Sequence, residues 1–146
     1  RNLEQQVNIA LQKLYSRQRA DGGWPWWDGP RSSTLVTAYG VQALLEARDS
    51  GYLVSDGVID QGVGYLQEHL RQGDGLDGRF KLNRQSFLVY VLARAGQPDA
   101  GEMTKLYDQR EALDWYARGY LAQAIQLNDP EDPRLETITA DFITAA

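Results

Sequence analysis

Gln18-Arg-Ala-Asp-Gly-Gly-Trp-Pro-Trp-Trp-Asp28 places three of the chain's four tryptophans within four positions, beside a glycine pair. Each indole buries roughly 150–250 Å² when it packs, so a segment this aromatic is expected to fold onto something. The glycines let the backbone turn tightly and approach its neighbours closely. The stretch therefore reads as a packed connector between helices. What it connects is decided by the periodicity on either side.

Upstream, Leu3, Val7, Ala10, Leu11 and Leu14 form one apolar stripe over about Leu3 to Arg19. Downstream, Leu35, Val36, Ala38, Tyr39, Val41, Ala43, Leu44, Leu45 and Ala47 cover nearly the whole circumference of a helix from about Ser33 to Ser50, with Gly51 as its stop. Further out the same contrast repeats. One-sided patterns run from Asp56 to Gln72 (Ile59, Val63, Leu66, Leu70) and from Ala100 to Arg110 (Met103, Leu106, Tyr107). A third follows Pro133 and presents Leu135, Ile138 and Phe142 to the core. Patterns apolar all round run from Arg84 to Ala95 and from Leu113 to Leu127. A one-faced helix has water behind it, whereas a helix apolar all round is surrounded. The strict alternation predicts an all-α protein of about seven helices in an outer and an inner row. This is an α/α toroid-like array of helical hairpins forming part of a ring. Tyr39-Gly-Val-Gln-Ala, Tyr90-Val-Leu-Ala and Tyr120-Leu-Ala-Gln-Ala recur on the inner-type helices, so these three tyrosines are expected on helices turned from water.

The 146 residues suit one domain, 1–146. The net charge of −5 and the lack of clustered Lys and Arg argue against nucleic-acid binding. No cysteine is present, which removes disulfides, thiolate metal sites and a thiol nucleophile within this chain. No apolar run approaches the roughly 20 residues that span a bilayer. The chain starts at Arg1 rather than Met, and it is expected to be a piece of something longer.

Leu14-Tyr-Ser-Arg-Gln-Arg-Ala-Asp-Gly-Gly-Trp-Pro-Trp-Trp27, Thr37-Ala-Tyr39 leading into Ala43-Leu-Leu-Glu-Ala47, the segment Ser86 to Gly96 and the closing Asp132-Pro-Arg-Leu-Glu136 together resemble the thioester-containing domain of alpha-2-macroglobulin-like proteins, in particular the bacterial branch. The resemblance spans most of the chain, and its first loop is the specific part. It implies an α/α ring with more helices than the seven read here, in a parent that traps proteinases. Bait cleavage triggers collapse in that family, and an activated thioester then acylates the attacker. It also implies a periplasmic, cell-envelope or extracellular location. The expected partners are the other domains of the parent and, through the full-length protein, proteinases. The family's thioester comes from Cys-x-x-Gln, and this chain has no Cys. Leu3-Glu-Gln5 matches only the tail of that motif, with Asn2 where the Cys belongs, and is read as coincidence. Some thioester proteins carry a His in the loop after a later hairpin; Gly78-Arg-Phe-Lys-Leu-Asn83, read as the corresponding loop, has none.

No catalytic residue, metal ligand or cofactor is predicted. His69, the only histidine, reads as a helix C-terminal residue placed well for the helix dipole. Asp74 and Asp77 in Gly73-Asp-Gly-Leu-Asp-Gly78 lack the alternate acidic positions and the bidentate Glu of a calcium loop and read as a turn. Asn128 to Asp132 reads likewise. Trp24, Trp26, Trp27 and Asp28 are the candidate binding residues, at an interface with a neighbouring domain, where Trp is enriched. A sugar- or cation-binding platform, or simple packing over the helix ends, are the other readings. The alternative function is an α/α-ring enzyme related to terpene cyclases or polysaccharide lyases. Gln18 with Gly22-Gly-Trp24 favours it, but the Asp-x-Asp-Asp run of the cyclases and the Asp, Cys and His zinc ligands of prenyltransferases are missing. Tyr39 or Tyr90 would be nominal lyase bases. A stand-alone helical interaction module is the third reading. An incomplete ring exposes apolar edges, so self-association is expected.

Overall fold

The computed structural model describes residues 2–72 and 78–146. The protein is all-α, as the periodicity predicts. The described residues form seven α-helices: α1 (Asn2–Arg17), α2 (Thr34–Asp49), α3 (Asp56–His69), α4 (Gly78–Arg94), α5 (Ala100–Asp108), α6 (Trp115–Asn128) and α7 (Arg134–Ala145). A 3₁₀ turn, Arg110–Ala112, precedes α6. The chain folds as two compact units, Arg1–Leu70 and Arg71–Ala146.

In the first unit, α2 packs against α3. Ser33 caps α2 by accepting from Val36 N, and Ser55 caps α3 by accepting from Val58 N. Such caps satisfy amides that the helix itself leaves without acceptors. At the far end of α2, Gly51 (φ +92°) turns the chain out while Tyr52 N donates back to Ala47 O at 3.1 Å. Ala38, Val41, Leu44 and Leu45 of α2 are buried, as are Ile59, Val63 and Leu66 of α3. α1 buries only Leu11, so its stripe is thinner than the sequence indicates. Among the described residues the strands, absent from the sequence reading, amount to one antiparallel pair, β1 (Trp24–Pro25) with β2 (Ser32–Ser33), which closes the aromatic loop at its base.

In the second unit, α4 packs on α6, with α5 and α7 alongside. Val89, Ala93, Met103, Leu106, Leu113, Ala117, Leu121, Ala124, Ile125 and Ile138 make its core. Four sequence expectations change here and in α2. First, α4 begins at Gly78, so Gly78 to Asn83 is helix rather than loop. Its opening residues Gly78, Arg79 and Phe80 are exposed, which leaves no burial period to read. Second, Asn83 is buried and grips the start of α6: its Nδ2 donates to Asp114 Oδ2, and its Oδ1 accepts from Asp114 N, at 2.8 and 2.9 Å. Third, Phe142 is exposed rather than in the core, its ring 5.0 Å from that of Trp115. Fourth, only α4 approaches burial all round. α2 has an open strip at Tyr39, Ala43 and Glu46, and Tyr39 is 54% exposed, against the inward placement expected for it. Tyr90 and Tyr120 are half-buried, with ring centroids 5.0 Å apart.

Candidate functional site

The aromatic loop splits its tryptophans between two roles. Trp24 is 3% exposed, Trp26 52% and Trp27 83%. Of the three tryptophans, the expectation of packing holds for Trp24 alone, beside the buried Gly22 and Gly23. The Trp24 ring lies in a slot left by two glycines. A Cβ on Gly40 would sit 3.0 Å from its Cε3, and one on Gly62 would sit 3.1 Å from its Cζ3 and 2.6 Å from Val41 Cγ2. Its polar atoms are also satisfied: Nε1 donates to Leu14 O at 2.8 Å, and the backbone N donates to Thr37 Oγ1 at 2.9 Å. A buried indole N–H left without an acceptor would be costly, so both bonds fix the orientation of the ring.

The approach to Trp24 is equally constrained. Gly22 has φ +89°, a left-handed backbone that favours glycine, and a Cβ there would meet Gln61 O at 2.2 Å. Gln18 Nε2 donates to both Gly22 O and Val58 O, which ties the end of α1, the loop and α3 together. Asp21 Oδ1 accepts from Gly23 N and from Ser32 Oγ. Tyr65 of α3 donates its hydroxyl to Ser32 O at 3.1 Å. Burial chiefly, then the Asp21 carboxylate, raises the Tyr65 phenol above its ordinary range, partly offset by its bond with Thr34.

Beyond this anchored base the loop turns outward. Gly29 N donates to Trp26 O at 2.6 Å, closing a tight turn around Trp27 and Asp28. Arg19 reaches over from the end of α1, with Nη1 donating to Pro30 O at 3.0 Å and Nη2 to Gly29 O. Inside that turn Trp27 adopts φ +38°, the only positive φ of a non-glycine residue among the described residues. For an L-residue this conformation costs about 1–2 kcal/mol. The indoles of Trp26 and Trp27 lie 5.9 Å apart, tilted by 37°. Arg17, Arg19, Trp24, Pro25, Trp27 and Asp28 line an open cleft of about 420 Å³. The structure thus brings Trp24, Trp27 and Asp28 together and leaves Trp26 beside the cleft rather than in it. The sequence reading missed Arg17, Arg19 and Pro25. Two arginines at the end of a helix that runs straight into the aromatic loop were the available signal.

The other singled-out residues have structural roles. His69 closes α3, with its Nδ1 3.0 Å from Tyr65 O and its ring stacked on that of Tyr65 at 4.0 Å. Tyr90 belongs to an aromatic group with Phe87, Tyr116 and Tyr120. Between α6 and α7, Asp132 accepts from Arg134 Nη2 at 2.7 Å and from its Nε and backbone N, and these bonds hold its carboxyl below the ordinary range. Asp74 and Asp77 lie outside the described residues. Among the described residues no three His, Cys, Asp or Glu side chains gather to hold a metal ion. Among the described residues no helix is long and apolar enough to cross a membrane.

No family model matches the chain. An alpha-2-macroglobulin of Thermotoga maritima is 38% identical to it over 137 residues, which is 87% of this chain and 9% of that protein. One of Xylella fastidiosa (strain Temecula1) is 29% identical over 142 residues, 91% of this chain and again 9% of the relative. The chain therefore spans under a tenth of the length of these curated relatives. Native Escherichia coli alpha-2-macroglobulin, solved from domain MG7 to the C-terminus, superposes with a TM-score of 0.78 at 24% identity, over 94% of this chain and 23% of that one. The E. coli protein activated by porcine elastase superposes with a TM-score of 0.77 at 26% identity, over 92% of this chain and 13% of that one.

Proposed function

Because this chain belongs to the bacterial alpha-2-macroglobulin-like family, we propose that it is a non-catalytic segment of a proteinase trap, residues 1–146 forming part of the parent's α/α-ring, thioester-type domain. The observation that carries this reading is the 38% identity with the Thermotoga protein over 87% of the chain. The absence of any cysteine means that a thioester, where the parent has one, is built from residues outside this segment. The role of the segment is to hold helices in place and to meet neighbouring domains. Its partners are those domains and, through the parent, proteinases. Its place of action is the periplasm, the cell envelope or the exterior.

Within that role, Trp26, Trp27 and Asp28 form the contact with a neighbouring domain, and Trp24 anchors them. An exposed indole held in a left-handed backbone gains nothing from packing in its own unit. It gains when a partner covers it, and Trp is among the residues that dominate interface energies. The functional test uses the full-length parent and a broad-specificity proteinase. A trap blocks cleavage of a large protein substrate while leaving a small peptide substrate accessible. Equal cleavage of the large substrate with and without the parent ends the proposal. A mass increase of the parent on methylamine treatment locates a thioester elsewhere in it.

A further inference from the structure

The cleft beside Trp27 carries an imbalance of charge and of hydrogen-bond donors. Arg17 and Arg19 line it against a single carboxylate, Asp28, and Arg31 is exposed just beyond Pro30. This local excess of cations sits on a chain whose net charge is −5. Arg19 spends its donors on the carbonyls of Gly29 and Pro30. The Arg17 guanidinium makes no hydrogen bond or ion pair among the described residues, and neither does the Trp27 indole N–H. A cation over the Trp27 face would have both arginines against it. An anion there meets a guanidinium and an indole N–H that have no other acceptor, and carboxylates are the anions of a protein surface.

Resting on the reading of this loop as a domain interface, we infer that the segment of the neighbouring domain seated on Trp27 is acidic, an aspartate or glutamate beside apolar residues, with its carboxylate paired to Arg17. The apolar neighbours cover the indole, and the carboxylate selects the register.

The test has two arms. The first uses this chain with W26F and W115F, which leaves Trp27 as the exposed indole because Trp24 is buried. Measured against the uncharged N-acetyltryptophanamide, iodide is expected to quench Trp27 more steeply than caesium, by roughly twofold, because a cationic cleft concentrates anions. R17E is expected to abolish the difference and R17K to keep it, with circular dichroism verifying the fold. Equal quenching by both ions, or an iodide preference that survives R17E, overturns the inference.

The second arm is hydroxyl-radical footprinting of Trp27, read by mass spectrometry in the full-length parent. Trp27 is expected to be protected in the parent and to regain the reactivity of the isolated chain in R17E. Protection that persists in R17E leaves the interface standing and overturns the acidic partner. A wild-type parent in which Trp27 reacts as freely as in the isolated chain overturns the interface itself. Protection that grows with concentration of the isolated chain identifies a second copy as the occupant and overturns the inference.

Discussion

Gly62 and Gly64 are two residues apart on α3, and their surroundings differ completely. A methyl at Gly62 would be driven into Val41 and the Trp24 ring, whereas at Gly64 it would meet nothing within 4 Å. Gly62→Ala is expected to destabilise the chain by about 1–3 kcal/mol through overpacking. Gly64→Ala is expected to stabilise it by up to about 1 kcal/mol, since alanine favours helix over glycine. Urea unfolding of the two variants measures both signs, and a stabilised Gly62→Ala would remove the glycine slot from the account. The tryptophans make a second contrast. Trp24→Ala is expected to cost about 3–5 kcal/mol, the usual range for emptying a buried aromatic site. Trp27→Gly relieves a left-handed residue and is expected to leave stability unchanged or raised by about 1 kcal/mol. Composition alone identified the importance of this loop but not its division of labour. The outward turn of Trp27 depends on the Gly29–Trp26 bond and on Arg19 gripping carbonyls ten and eleven residues away, and no local pattern encodes that reach.

Helices were the most legible feature of the sequence, because their apolar residues repeat every three to four positions, even in α1 and α7, where only Leu11 and Ile138 are fully buried. Legibility failed where burial is polar or absent. The start of α4 is exposed, with Phe80 71% accessible, and the buried residues that follow include Asn83, Arg84 and Gln85, which carry no apolar period. Asn83 and Gln85 are held by partners distant in sequence, Asp114 and Glu102. Asn83→Ala is expected to cost about 1–3 kcal/mol by removing two hydrogen bonds from the half-buried Asp114 at the start of α6, whose carboxylate keeps only its bond from Arg79. Amide exchange along α6 checks it, and the first turn is expected to lose protection before the rest. The link before α7 responds to pH. The Asp132 carboxyl titrates below its ordinary range because Arg134 holds it ionised. Its contribution to stability is therefore complete above the ordinary carboxylate range and is lost as pH falls through the lowered folded value. Asp132→Asn is expected to flatten the acid limb of the stability curve. Tyr65 acts at the other extreme: its raised phenol keeps the hydroxyl neutral in the fold, so stability is complete below the ordinary phenol range and declines as pH rises through it.

For the whole molecule, the helical class and the family were legible because both depend on patterns spread along most of the chain. The contrast between one-faced and surrounded helices was legible only in part, since Tyr39 and Phe142 are more accessible than their apolar contexts suggest. Leu3, Ile9, Phe80, Tyr116 and Ile143 are likewise exposed. The isolated chain is expected to self-associate through such residues, more strongly as the pH approaches the isoelectric point near 4.8, where repulsion between copies vanishes. Sedimentation velocity across concentration and pH measures this, and a monomer throughout would show that the exposed residues are too scattered to hold two copies together.

The Gln18 amide that clasps Gly22 and Val58 has a consequence for how such a segment diversifies over generations. Inserting or deleting a residue between Gly22 and Trp24 shifts every anchor at once, whereas the tip from Trp26 to Gly29 is bounded by clamps that a longer excursion can still satisfy. Length variation among descendants of this chain is therefore expected to accumulate at the tip, so that the contact surface is remodelled while the helices beneath keep their registration.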